Sequence, residues 1–501
     1  MLPNLFILIV LLQYASSQST SRTPKMEPRA GPLVNSKVGL IKGLRASDGD
    51  YAMFLGIPYA NVDKNNIFGD AAPYPKFSET FEAFDDSAIC PQIEEFNKTT
   101  VGTLDCLHLN LFVPTSASAN SHLPVLVWIH GGGFQFGSYN RYVYGPKFLV
   151  RHNIVLVTLN YRLGPYGFMC TKIPEVSGNQ GLKDQQKGLK WVKENIEAFG
   201  GDADKITIFG ESAGAASVDF HIINSEEKLF HQAILQSGVT LSPWVTLNPG
   251  AEGPLKLAKH LGFVTEDIKG AISFLASIDT NRLIAATNEL NLFFSVCVEK
   301  DFENVDNFVT DYPVNIRSVP NIKNIPLLIG FNSDEDLSRY INVDDDYLEY
   351  SDIIRRVVNE TFDMDQKAFD EMSEVLRNFY FGDKDVNNNI RRAVIDLSSD
   401  FSYAQPTQMS LKKYLNNSAK TIFSYMFSYV GKRNLDRYTN GITTGGASHT
   451  DEIGYLFDVS YMKSVMFDEE QIMVDRITTL WTNFVKYGFV FFYFLLNLVK
   501  V

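Results

Sequence analysis

The tightest constraint on this chain is the five-residue segment Gly210-Glu211-Ser212-Ala213-Gly214. It directly follows the apolar run Ile206-Thr-Ile-Phe209 and precedes the small residues Ala215-Ala216-Ser217. The run reads as a strand and the small residues as a helix start. A chain that passes from strand to helix this sharply holds Ser212 in a strained conformation with its hydroxyl presented, and the flanking glycines leave room for neighbouring backbone. Other apolar runs read as strands covered on both faces: Pro124 to His130, Ile154 to Arg162, Gln232 to Gln236, Pro326 to Gly330 and Ile422 to Tyr429. Continuous runs without polar alternation point to a parallel sheet. Between two of them, Leu182, Leu189, Val192, Ile196 and Phe199 fall at spacings of 7, 3, 4 and 3, one face of a helix. Strand–helix–strand alternation implies an α/β class, with a large, mostly parallel central sheet flanked by helices. The stretch from Pro249 to Asn324 lacks clear strands and reads as a largely helical insertion.

A serine hydroxyl is a weak nucleophile and needs a base. After such a turn, an acid and then a histidine follow in chain order. Among His108, His122, His130, His152, His221, His231, His260 and His449, only His449 leaves room for a long Ser–acid–His spacing. It sits in the small-residue loop Gly446-Ala-Ser-His449. The acid comes from Asp334-Glu335-Asp336, just past the strand Pro326 to Gly330, where sheets of this kind carry active groups. Composition does not choose among the three. Gly131-Gly132-Gly133 follows another strand. Without Cβ atoms, the N–H groups of Gly132 and Gly133 can approach a substrate oxygen, and with the Ala213 N–H they form a three-donor oxyanion hole.

Composition excludes some classes. With 45 Lys and Arg against 58 Asp and Glu, the net charge is −13, and no basic cluster appears. That disfavours nucleic-acid binding. There is no phosphate-cradling Walker loop and no metal-spaced His cluster, so no cofactor is expected. The aromatic content, 13% with 37 Phe, suits a large core or an apolar gorge, core being the simpler use. Residues 1–17 read as a secretory signal: Leu5 to Leu12 are apolar, and Ala15 and Ser17 give a small-x-small cleavage site before Gln18. This stretch is shorter than the ~20 apolar residues that a membrane span needs. A secreted, extracellular chain with no stable membrane anchor is expected. Cys90 and Cys106, 16 residues apart, flank a polar stretch, and closing such a loop would stabilise by ~3 kcal/mol. Cys170 and Cys297 read as free, buried thiols. Asn97, Asn359 and Asn416 open Asn-x-Ser/Thr sequences and are candidate glycosylation sites.

These motifs have companions. They include Phe54-Leu-Gly-Ile-Pro-Tyr-Ala60, Cys90-Pro-Gln, Asp105-Cys-Leu-His-Leu-Asn110, Asn160-Tyr-Arg-Leu-Gly164, Gly178-Asn-Gln-Gly-Leu-Lys-Asp-Gln185 and Gly200-Gly-Asp. From residue 34 to 488, in order, the set resembles the type-B carboxylesterase/cholinesterase family of α/β-hydrolases. Asn66-Ile-Phe-Gly-Asp70 and Tyr74-Pro-Lys-Phe77 look like secreted insect esterases of the lepidopteran type. The resemblance implies a single carboxylesterase domain over 18–488, a Cys90–Cys106 pairing, and Glu335 as the acid through Gly-x-Asn-x-x-Glu. It implies a serine carboxylesterase acting through an acyl-enzyme on neutral, fairly apolar small-molecule esters of xenobiotic, dietary or odorant type.

Three positions depart from the family. Asp336 stands where relatives usually have Gly, Ile67 replaces the Arg of an Arg-Phe pair, and Leu104 replaces a Glu. An adjacent Asp336 either raises the acid's pKa or points to solvent. The segment between Cys90 and Cys106 has no Trp to stack on a quaternary ammonium, so cholinesterase activity is not expected. Juvenile-hormone esterases often carry Gln where Glu211 stands, which leaves hormone specificity as an alternative. A catalytically silent binding or adhesion relative is the other. Past Gly488 the resemblance stops. Residues 489–501, an apolar run without a polar face, are expected to be a truncated end that leaves an apolar patch uncovered.

Overall fold

The computed structural model describes residues 30–490, except 95–96, 225–226, 247–251, 345–352, 363 and 383–390. The expected signal sequence and residues 491–501 of the apolar tail therefore lie outside the described residues. An 11-stranded sheet organises the chain. Its strands are β1 Ala30–Ser36, β2 Gly39–Arg45, β3 Tyr51–Pro58, β4 Phe81–Glu82, β5 His108–Pro114 and β6 Leu123–Ile129. They continue with β7 Val155–Leu159, β8 Gly201–Glu211, β9 Gln232–Gln236, β10 Leu327–Asn332 and β11 Ile422–Phe427. The spatial order is β1-β2-β3-β5-β7-β6-β8-β9-β10-β11, with β4 beside β2. The pairs from β7 through β11 are parallel and those from β1 to β7 antiparallel, so the sheet is mixed. This is the α/β-hydrolase arrangement that the motifs imply.

The lack of polar alternation in the inner strands has a direct cause. Val125, Val127, Ile129, Ile206 and Ile208 pack into one hydrophobic layer. Leu126, Trp128, Phe209, Ile234 and Leu328 pack into the layer on the opposite face. Successive side chains point to opposite faces, and both faces are covered. Helix Gln180–Asn195 and the 3₁₀ turn Ile196–Phe199 bury all five residues of the expected apolar face.

Several expectations need correction. The run Ile154 to Arg162 is a strand only to Leu159. Arg162 leaves the sheet to form a fully buried ion pair with Asp184, at 2.7 Å. The run Ile422 to Tyr429 is not covered on both faces. Strand β11 ends the sheet, and only Phe427 among its residues is fully buried. The insertion is helical at Glu252–His260, Ile268–Ala276 and Thr280–Glu289, but 291–319 contains no helix. Cys170 and Cys297 are not free thiols. They form a disulfide across 127 residues, a second one in addition to Cys90–Cys106. Burial alone does not distinguish a thiol from a half-cystine, and only the fold brings these two Cα atoms to 6.5 Å.

Of the tail, Phe489 and Val490 are described. Val490 is buried, and Phe489 sets its ring edge-on to Phe423, 5.3 Å between centroids. No helix of the described residues is long and apolar enough to cross a membrane.

Candidate active site

Strand β8 ends at Glu211, and helix Ala213–Ile223 begins two residues later. Ser212 sits between them at φ 56°, ψ −125°, a region that non-glycine residues rarely adopt. Its N–H donates to the Gln236 carbonyl at the end of β9, at 2.8 Å. A side chain at Gly214 would collide with the Ile129 carbonyl, and one at Gly210 with the Gly214 backbone. The two glycines therefore let the turn close against β6. Ser212 is buried, with 8% of its surface exposed.

The three candidate acids point in three directions. Glu335 Oε2 lies 2.7 Å from His449 Nδ1, and Glu335 Oε1 accepts the Asn332 N–H at 2.6 Å. The His449 N–H donates to the Glu335 carbonyl at 3.0 Å. Asp334 instead accepts from Arg392 and from the Gly446 N–H, which ties down the loop that carries His449. The Asp336 carboxylate turns away to accept from the Ser398 hydroxyl, and its backbone N–H donates to Ser399 Oγ. The acid beside His449 thus has its own pair of donors, and its two neighbours act as anchors.

The other imidazole nitrogen, Nε2, lies 3.1 Å from Glu211 Oε1. The contact lacks hydrogen-bond alignment, so Glu211 Oε1 has no hydrogen-bond partner. No hydrogen bond joins Ser212 Oγ to His449 among the described residues. Burial opposes the imidazolium charge, but the Glu211 and Glu335 carboxylates outweigh it and push the His449 pKa up to about 10. Burial, together with Glu452 and Glu335, holds the Glu211 carboxyl well above its ordinary range. Protons at Glu211 and His449 therefore titrate as a coupled set.

The oxyanion candidates surround this group. Gly132 and Gly133 follow β6 with φ of 103° and 59°. Their N–H groups have no acceptor among the loop hydrogen bonds of the described residues. Ala213 is the first residue of its helix, so its N–H is also unused. A Cβ at Gly131 would stand 3.0 Å from Ser212 Cβ, so the glycine run lies against the turn that carries Ser212 and Ala213.

Sequence reasoning missed several residues here. Glu452, three past His449, is buried and accepts from Gln236 at 2.7 Å and Asn332 at 2.6 Å. Trp481 on the last helix, Asp468–Tyr487, donates to Gln236 at 2.8 Å. Tyr403 packs its ring on His449, 4.8 Å between centroids. It rides on the π-helical turn Asp400–Ala404, a local geometry frequent at functional sites. Two signals were available, the Asn in Gly-x-Asn332-x-x-Glu335 and the nearness of Glu452 to His449; Trp481 and Tyr403 come from distant elements with no motif.

Asn97, Asn359 and Asn416 are all exposed. At the departing positions, Phe68 stacks on Tyr166 at 5.3 Å, and the Ile67 carbonyl accepts from Arg162 at 3.3 Å.

The pattern of the carboxylesterase family matches residues 30–490. The chain is 30% identical to juvenile hormone esterase of Tribolium castaneum over 524 aligned positions, covering 97% of the chain and 87% of that relative. It is 33% identical to bile salt-activated lipase of Rattus norvegicus over 488 positions, covering 91% and 75%. Its structure is similar to the crystal structure of juvenile hormone esterase from Manduca sexta with OTFP covalently attached, with a TM-score of 0.81, 28% identity and coverage of 92% and 91%. On the match from residue 30 to 490, the chain belongs to the carboxylesterase family of carboxylic ester hydrolases.

Proposed function

We propose that the chain cleaves neutral, fairly apolar esters through an acyl-enzyme, with Ser212 as nucleophile, His449 as base and Glu335 as its orienting acid. The observation that carries this reading is the 2.7 Å contact between Glu335 and His449 Nδ1, on an imidazole whose Nε2 lies 3.1 Å from Glu211, the residue before the serine of the strained turn. His449 Nε2 takes the Ser212 proton as Oγ bonds to the ester carbonyl carbon. The carbonyl oxygen gains charge and meets the N–H groups of Gly132, Gly133 and Ala213. Collapse breaks the ester C–O bond, and the imidazolium gives its proton to the departing alcohol. Water then repeats the cycle on the acyl-enzyme and releases the acid. The buried carboxylates Glu211, Glu335 and Glu452 disfavour anionic substrates. The aromatic rings of Trp244 and Tyr403 favour apolar ones.

The test is labelling by a fluorophosphonate probe together with a panel of aliphatic and aryl esters that includes juvenile hormone. Ser212→Ala loses both the label and turnover, by about 10⁴-fold or more, and His449→Ala is nearly as severe. Glu335→Gln costs about 10³–10⁴-fold through the wrong imidazole tautomer. Ser212→Ala turnover within about tenfold of wild type would sink the assignment. So would Asp334→Asn or Asp336→Asn proving worse than Glu335→Gln. A hydrolysis rate on juvenile hormone far above all other esters would replace the general reading with the hormone-specific one.

The same proposal covers a secreted, glycosylated chain with one catalytic domain, no nucleic-acid partner and no stable membrane anchor. Its support is the amino-terminal signal pattern, two disulfides and three exposed Asn-x-Ser/Thr sites. Expression in a secretory host, with a mass shift on glycosidase treatment, checks it.

A further inference from the structure

Residues 291–319, which meet the oxyanion loop at Phe293 and Phe294, form no helix, and no strand of the sheet lies among them. Their one ladder contact is an isolated bridge between Thr246 and Val296. Phe293 belongs to this segment. Its Cζ lies 3.5 Å from where a Cβ on Gly133 would stand, and the residue is 52% exposed. Phe293 is thus a wall beside the oxyanion hole, with little packing of its own.

What fixes the segment lies around it. The Phe294 carbonyl accepts from Gln135 Nε2. Cys297 exchanges two hydrogen bonds with the Asn179 side chain, at 3.0 and 2.8 Å. Its sulfur is bonded to Cys170. Cys170 follows the short helix Gly164–Phe168, which touches the same loop at Phe134. There the Gly164 N–H donates to the Phe134 carbonyl at 2.8 Å, and the Phe168 and Phe134 rings lie 4.8 Å apart. The crosslink therefore joins two segments that each touch the Gly131–Gln135 loop. Gly178 is shaped to it: a Cβ there would stand 2.7 and 2.8 Å from the two sulfurs.

We propose that the Cys170–Cys297 disulfide positions Phe293 against the oxyanion glycines and thereby limits the acyl chain that the site accepts. The proposal rests on the reading of Ser212 as nucleophile. In the acyl-enzyme the alcohol has left, and the acyl chain stays tied to Ser212 with its carbonyl oxygen in the hole, so the wall beside the hole meets the acyl chain. Cys170 and Cys297 are positioning residues that act through Phe293.

The experiment compares the full-length wild type with Cys170→Ala/Cys297→Ala, Phe293→Ala, the triple variant and a Cys90→Ala/Cys106→Ala control. The substrates are 4-nitrophenyl esters from acetate to decanoate, at temperatures well below each Tm. Loss of the Cys170–Cys297 link raises the decanoate-to-acetate ratio of kcat/KM by about fivefold or more, through KM, with acetate kcat kept within about threefold. Phe293→Ala gives the same shift, and the triple variant adds nothing further. The control loses thermal stability without the shift. If the alanine pair does not fold, phosphine reduction and alkylation of the folded wild type, located by peptide mapping, gives the species to measure. A ratio within about twofold of wild type after loss of the link overturns the proposal, as does an equal Phe293→Ala effect with and without it. Fluorophosphonate labelling of the wild type separates the two claims. With no label, the reading of Ser212 fails; with label and an unchanged profile, only the disulfide proposal fails.

Discussion

At the residue scale, the unusual feature is an imidazole between two carboxylates. Glu335 faces Nδ1 and Glu211 faces Nε2. A base must be neutral to accept the Ser212 proton, and an anion beside Nε2 favours the charged form. The acidic limb of the pH–kcat/KM profile therefore lies above the ordinary imidazole value of 6.5. Glu211→Gln removes the largest cause that raises it, so the limb moves to lower pH. An unmoved limb in that variant would show that Glu211 is not the countercharge. The flanking sequence names Glu211 only as the second residue of its turn. Its role depends on His449, 238 positions away, and no local pattern reports that.

At the scale of elements, the ends of strands are held by buried polar contacts. Arg162, just past β7, meets Asp184 on helix Gln180–Asn195 with both side chains fully buried. Its remaining donors reach the Ile67 and Gly69 carbonyls. Asp184→Asn leaves a buried guanidinium without its anion and destabilises by about 3–5 kcal/mol. A fall in thermal or denaturant midpoint measures this, and a change of less than about 1 kcal/mol contradicts it. The inner strands were legible because two covered faces demand unbroken apolar runs. Strand β11 was misread for the same reason: an edge strand with bulky residues has the same composition, and only its place in the sheet exposes Ser424 and Met426.

At the scale of the whole molecule, the last helix supports the site from a distance. Trp481 donates to Gln236, Gln236 to Glu452, and Asn332 bridges Glu452 and Glu335. Trp481→Phe leaves the buried Gln236 oxygen without its donor, at a cost of about 1–3 kcal/mol. It should lower Tm and reduce kcat several-fold, with KM nearly unchanged. Unchanged kcat would mean that the chain of bonds ends before the imidazole. The amino-acid sequence by itself determined the strand-to-helix turn at Ser212, the glycine run at 131–133 and the two-faced burial of the inner strands. Each is set by sterics or solvation within a few residues. It did not decide the Cys170–Cys297 link, the aim of Asp334 and Asp336, or the gathering of Glu211, Glu452 and Tyr403 around His449. Those depend on which distant segments the sheet order brings into contact, and on burial that exists only once both faces are packed.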